Sequence, residues 1–384
     1  MKRLSLLLVS AILTLSLFAQ DEAAEQKVSP WKLSGVVGLN ASATGLWNWA
    51  AGGNNNITGV AFGKMRLLYA ENNLSWETNL DLEYGLSYID QKYDKLQKSS
   101  DHIVFNTKFG WAFVPKWYLT VNAGFQSQFA HGLTYPGDGT PSSIISKWLA
   151  PSYTDISVGL DWKPNDIFSV YISPVAGRIT TAYVADWVME KCEQKDPEQY
   201  AAMYPDGLRV SLKDKYGVWK YQETTAGDAF EKNFDCNARA ELGLTLKGTI
   251  NYKYKDLTLM TSVNLFTPYA WDKTELYTYV ADDGTENTYS REQLLEMKVN
   301  LENADFLGFR DNNRRFGNFD VDWDVAISYQ FLKCLNVTLS TNLKYYNGVL
   351  IDKTYNAGTP EEYTEAAERV QFKAILGLGV GYSF

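Results

Sequence analysis

The chain predicts an all-β fold: a transmembrane antiparallel up-and-down β-barrel of about 12 strands, with long extracellular loops and short periplasmic turns. Three observations carry this expectation. Many segments alternate apolar and polar or small residues at the two-residue period of a strand. The connections between those segments alternate short and long. Beyond the N-terminus no apolar stretch is long enough for a helix to cross a bilayer, so any crossing falls to strands.

At the N-terminus, Lys2 and Arg3 precede an uncharged stretch from Leu4 to Phe18, followed by Ala19, Gln20 and an acidic run. That is the layout of a secretory signal peptide, residues 1–19. With no cysteine beside the cleavage point, a lipoprotein anchor is not expected. Residues 20–30 are expected to be a short periplasmic segment, and 31–384 a single barrel domain.

Alternation places strands at 33–46, 57–71, 74–88, 102–113, 117–130, 154–162, 167–175, 238–252, 257–267, 319–331, 335–347 and 370–384. The connections after the even-numbered strands are a few residues long, such as Asn72-Asn73 and Pro115-Lys116. Those after the odd-numbered ones run longer, above all 176–237 and 268–318. An even strand count puts both termini on the short-turn, periplasmic side.

Faces follow from the same period. In 74–88, Leu74, Trp76, Leu80, Leu82, Tyr84, Leu86 and Tyr88 share one side, while Ser75, Glu77, Asn79, Asp81, Glu83 and Ser87 share the other. In 319–331, Val321, Trp323, Val325, Ile327 and Tyr329 oppose Asp320, Asp322 and Asp324. From Phe372 to Phe384, Leu376, Leu378, Val380, Tyr382 and Phe384 oppose Lys373, Gly377, Gly379, Gly381 and Ser383. Such faces suit a wall between hydrocarbon and a wet lumen. Trp111, Phe113, Trp117, Trp162, Phe168, Tyr252, Tyr329 and Phe331 cluster near the short turns, as an interfacial aromatic girdle would.

Composition narrows the partners. Without Lys2 and Arg3, 34 basic residues face 45 acidic ones, which argues against a nucleic-acid partner. Aromatic residues make up 14% of the chain, and with the alternation they favour one large barrel over two or three soluble domains. Cys192 and Cys236 share one long connection and form a candidate disulfide in an oxidising compartment; Cys334 is left over. Only His102 and His131 are present and neither has ligand spacing to a cysteine, so no metal and no cofactor are expected.

The expected lumen carries both signs. Its candidate lining is Lys64, Arg66, Glu77, Asp81, Glu83, Lys108, Arg239, Glu241, Asp320, Asp322, Asp324 and Lys344. Folding about Asn72-Asn73 sets Lys64 opposite Asp81 and Arg66 near Asn79 or Glu77; the next-to-last hairpin sets Asp322 near Lys344. Two readings stay open. These are structural pairs filling a narrow barrel, or they form a polar path for a solute of preferred charge. Tyr118, Gln126, Gln128 and Tyr171 are side chains able to fill the channel.

The long loops differ in texture. Glu190 to Tyr204 is a candidate short helix. In 274–316, a turn at Asp282-Asp283-Gly284 and the alternating Leu295, Met297, Val299 and Leu301 form either a projecting hairpin or a further strand pair in the barrel.

The densest local pattern is Trp47-Asn48-Trp49-Ala50-Ala51-Gly52-Gly53-Asn54-Asn55-Asn56, whose paired glycines suit a tight loop at a strand end. Its tryptophans read as an interface anchor or as a stacking platform for sugars. The run Asn48 to Gly53, after an opening strand at Trp31, resembles the hallmark of a family of outer-membrane barrels of unknown function from the Bacteroidota lineage. Trp76 with Tyr84-Gly85, Leu265-Phe266 with Tyr269, and Asn318 to Trp323 resemble the same family. The resemblance implies location and architecture and brings no catalytic residues. The C-terminal strand, ending on an aromatic, resembles the segment by which such barrels meet their assembly machinery.

Function expectations follow. The leading one is a passive or gated barrel for a small polar solute, with outer-membrane lipid around it. The alternative is a non-transporting surface or envelope protein acting through its loops. An enzyme is not expected; a rim hydrolase would rest on His102 or His131, with Asp101 and Asp138 as candidate neighbours.

Overall fold

The computed structural model describes residues 29–45, 54–165, 167–223, 230–269, 274–280, 284, 286–310, 315–332, 335–356, 361 and 363–383. Twelve strands form its wall: β1 Trp31–Thr44, β2 Asn56–Glu71, β3 Leu74–Ile89, β4 Leu96–Val114, β5 Trp117–Ser127, β6 Ser152–Trp162, β7 Phe168–Thr181, β8 Ala238–Tyr254, β9 Leu257–Pro268, β10 Asp320–Leu332, β11 Leu335–Tyr345 and β12 Gln371–Ser383. Each pairs antiparallel with the next. The β12–β1 seam, Val36 against Ser383 through Ala41 against Leu378, closes the barrel.

The turns at one end are built for tight reversal. Asn72, Lys116 and Lys255 take positive φ of 52°, 72° and 52° in the two-residue loops after β2, β4 and β8. That backbone matches the twist of a hairpin. At the opposite end the loops carry structure of their own.

Packing is inverted relative to a water-soluble barrel. Inside, Asp161 and Ser173 are 0% exposed and Arg178 5%; outside, Leu376 is 69% exposed and Leu378 56%. Trp323, Ile327, Tyr329 and Phe331 stand outside on β10, as do Trp76, Tyr84, Leu86 and Tyr88 on β3. The outward indoles satisfy their own N–H groups: Trp76 donates to Thr107 Oγ1 at 2.8 Å, and Trp323 to Thr261 Oγ1 at 2.9 Å, each on a neighbouring strand. Near the short turns aromatic rings meet around the wall. Trp31 lies 4.9 Å from Tyr69 and 5.8 Å from Trp76, while Trp162 lies 6.3 Å from Trp117 and 6.0 Å from Phe168.

Two strands are longer than the alternation predicts. β7 continues to Thr181, past the expected stop at 175. Pro174 has no N–H to offer the ladder, and both neighbouring strands shift register beside it, between Val158 and Leu160 and between Gly243 and Thr245. Alternation breaks for one bulge and then resumes. β4 begins at Leu96 rather than 102, with a register shift opposite Gly85 and Leu86.

The loops resolve the remaining expectations. The candidate helix at 190–204 is two helices, α1 Asp186–Lys195 and α2 Pro197–Met203, divided at Asp196, whose side chain caps Gln199 N. A third, α3 Leu208–Lys215, follows. The segment 274–310 adds nothing to the barrel. It forms a separate three-stranded sheet of Glu286–Ser290, Thr274–Val280 and Asp305–Arg310. The stretch Leu295 to Leu301, expected to be extended, instead follows helix α4 Arg291–Glu296 into a short 3-10 turn. Leu295 and Met297 of that stretch are exposed, at 55% and 47%, while Leu294 just before it is fully buried.

The expected signal peptide, Trp47, Asn48, Trp49, Gly52, Gly53, Cys334 and Phe384 lie outside the described residues, as does the Cys192 side chain. Cys236 is a free thiol, half-buried against the loop core, and its expected partner Cys192 has its side chain outside the described residues.

Candidate functional site

Twelve inward faces converge on a lumen crowded with charge, and the closed register decides which charges meet. Lys64 opposes Asp81, and its Nζ lies 3.0 Å from Asp81 Oδ2. Arg66 Nε donates to Glu77 Oε1 at 2.8 Å. Lys344 opposes Asp322 at 3.4 Å, and Arg239 lies 3.3 Å from Glu241 on its own strand. Asp324 accepts from Asn342 Nδ2 at 2.6 Å. Glu83 is reached across the lumen by Lys373 of β12 at 3.4 Å. Lys108 pairs with fully buried Asp161, which Lys163 also approaches at 3.4 Å.

The centrepiece of the outer half is Arg178. Its Nε donates to Asp155 on β6 at 2.7 Å, its Nη1 donates to Asp320 on β10 at 2.8 Å, and its guanidinium lies 4.2 Å from the Phe266 ring centroid. Asp320 also accepts from Asn347 N at 2.9 Å. Pairing offsets much of the cost of holding such charges away from bulk water. Asp320 is therefore committed to an internal guanidinium, and among the described residues no cluster of three metal-ligating side chains forms.

Above this layer the mouth is bridged. Val184 and Val188 from the β7–β8 loop, with Leu208, Leu212 and Val218, pack a small core against Ala150 of one loop and Tyr346 and Val349 of another. The Tyr153 and Tyr346 rings meet at 5.0 Å although they stand on β6 and just beyond β11, nearly opposite walls. Tyr346 Oη donates to Asp322 Oδ2 at 2.9 Å, tying the cap to the lumen charges. Gly217, at φ +63°, lets the cap backbone approach Gly348: a Cβ there would lie 2.7 Å from the Gly348 carbonyl oxygen. Burial in this apolar core pushes the Tyr216 and Tyr346 phenols up from their ordinary range.

Between the cap and the short-turn end lies a polar cavity lined by Asn106, Asn122, Asp155, Ser157, Tyr171, Thr245, Lys247 and Asn264. Tyr171 is almost wholly buried and donates to Ser157 Oγ at 2.9 Å. Asn106 donates to Asn122 Oδ1 at 3.0 Å. The filling role expected of Tyr118 and Gln128 takes local form: Tyr118 carries Lys163 over its ring, and Gln128 hydrogen-bonds the loop carbonyl of Lys147 at 2.8 Å.

Each of the twelve lumen candidates from the sequence meets a charged or polar side chain in the contacts given above. Reasoning from sequence missed Asp155, Asp161, Arg178, Lys247 and the asparagines. For Arg178 the missed signal is the alternation Gly177-Arg178-Ile179-Thr180 beyond the proline. His102, expected at the rim, points into the lumen instead, its Nε2 3.4 Å from Asp81 Oδ1, because β4 starts earlier than its alternation shows. His131 stays in a loop. Asp101 accepts from Phe129 N and Ala130 N at 2.7 and 2.8 Å, and from Lys98, anchoring that loop.

Solved structures of similar outline include an outer-membrane channel from Pseudomonas putida F1 (8% identity, 95% of this chain and 100% of that one, TM-score 0.34). Others are the translocator domain of the autotransporter NalP from Neisseria meningitidis (9%, 99% and 98%, 0.32) and OmpT, an outer-membrane protein of Vibrio cholerae (10%, 94% and 100%, 0.26). No curated protein matches the chain. Residues 41–133 match the model of a family described as a protein of unknown function, DUF3078.

Proposed function

We propose that this chain is an outer-membrane β-barrel that binds and admits a small polar solute, gated by its own loops. The observation that carries the reading is a polar cavity enclosed by an apolar-skinned barrel and roofed by a folded cap. Outward Leu376, Leu378 and Trp323 need a hydrocarbon covering, and the aromatic rings near the short turns suit its interface. The signal peptide and a wall with both termini at the short-turn end support a periplasmic position for both ends. Recruitment of assembly machinery through β12 belongs to the same reading.

The test is solute flux through the purified protein in liposomes, with planar-bilayer conductance beside it. The full chain should hold a low-conductance closed state, and removal of 186–235 should raise conductance while the barrel stays folded. No binding, no flux and no current from either form would remove this reading.

A second reading has one observation in its favour. The sheet of Thr274–Val280 with its two neighbours and helix α4 forms a module outside the barrel, with buried Tyr289 and Leu294. A surface-interaction role would lose partner binding when that module is deleted and solute flux is retained.

A further inference from the structure

Among the described residues most lumen charges stand beside an opposite charge, and Lys247, which does not, faces the cavity. Asp155 lines the cavity but its charge is met by Arg178 at 2.7 Å; Asp161, below it, is met by Lys108 and Lys163. Lys247 has no ion pair and no hydrogen bond among the described residues, yet it projects into the same space. Its direct cross-strand partner is Asn264, whose Oδ1 is buried and accepts no hydrogen bond. Opposed residues on paired strands hold their Cβ atoms about 5 Å apart, so an uncommitted cation and an uncommitted acceptor stand side by side. Around them are Asn122, Ser157 and Thr245, neutral groups that donate and accept.

Resting on the solute-binding reading above and deepening it, we propose that this cavity is a binding site for a small hydroxylated carboxylate. One carboxylate meets the Lys247 ammonium through a charge-assisted hydrogen bond. A hydroxyl of the same molecule donates to Asn264 Oδ1, relieving a buried acceptor that otherwise carries a desolvation cost. Further hydroxyls meet Asn122, Ser157 and Thr245. A dianion finds no second uncommitted cation in the lining, and an apolar molecule would bury all of these groups unpaired.

The probe is gluconate, with glucose as its neutral counterpart, titrated calorimetrically into the purified full chain in detergent. Gluconate should bind at least about tenfold more tightly than glucose, a margin that one charge-assisted contact supplies. Lys247→Gln should bring gluconate to the level of glucose, and Asn264→Asp should also weaken it by adding a negative charge. Lys247→Arg should retain part of the preference. Heat-modifiable gel mobility verifies that each variant keeps its barrel. Equal binding of gluconate and glucose, or wild-type gluconate affinity in Lys247→Gln, overturns the proposal. If both solutes nonetheless cross liposomes at equal rates, the solute-barrel reading stands and only the carboxylate site falls; if neither binds nor crosses, both fall.

Discussion

Arg178 and Asp320 hydrogen-bond at 2.8 Å although 142 residues separate them, and β8 and β9 lie between their strands. The pair spans a chord of the lumen rather than adjacent strands, so it locks curvature as well as filling space. Both side chains are almost wholly buried. Removing one partner leaves an uncompensated charge among apolar and polar walls.

Arg178→Ala should therefore destabilise the barrel by about 3–5 kcal/mol, measured by urea unfolding of protein refolded in detergent. Replacing both residues with leucine should cost less than either single change. A double-variant loss equal to the sum of the two single losses would show that the pair has no coupling.

The outer skin makes its own prediction. Val325→Arg, on the outward face midway along β10, should cost about 2–4 kcal/mol of folding in lipid vesicles. Ala326→Arg, one residue on and facing the lumen, should cost less. The folded fraction by gel mobility compares them, and an inward variant that suffers more would contradict the lipid-facing assignment.

Thr261→Val removes the acceptor of the Trp323 indole and leaves that N–H facing hydrocarbon. The expected loss is about 1 kcal/mol. Trp323→Phe should abolish the effect of the threonine change in a double-mutant cycle.

Docking of the cap depends on the close approach at Gly217. A valine there is strained at φ +63° and collides with the Gly348 carbonyl, so Gly217→Val should lift the cap. Conductance in planar bilayers should rise, while the urea midpoint of the barrel stays unchanged.

The cap should also loosen in alkali. Burial raises the Tyr216 and Tyr346 phenols in the folded cap, whereas an undocked cap ionises them near pH 10. Their stabilising contribution is fully present below that value and declines as pH rises toward the folded-state values. Protease sensitivity of 186–235 should increase above about pH 10. The double change to phenylalanine should flatten that rise.

Much of this architecture is legible in sequence because a two-residue period reports which face meets which medium. All twelve strands are visible that way, and hairpins such as Asn72-Asn73 set registers tightly enough to pair Lys64 with Asp81. What escapes is whatever interrupts the period or lies across the barrel. Pro174 hides the outer half of β7, and with it Arg178. Contacts such as Lys373 to Glu83 depend on closure between the two ends of the wall, which no local pattern encodes. The cap escapes for another reason: its helices carry short apolar sets that make sense only against Tyr346 and Val349 from a distant loop.

The seam between β1 and β12 has a consequence for biogenesis. Val36 cannot find Ser383 until nearly the whole chain has emerged, so every earlier stage carries two raw strand edges and a sticky apolar flank. Such long-range pairing is slow to form, and the wall stays unzipped until β12 meets β1.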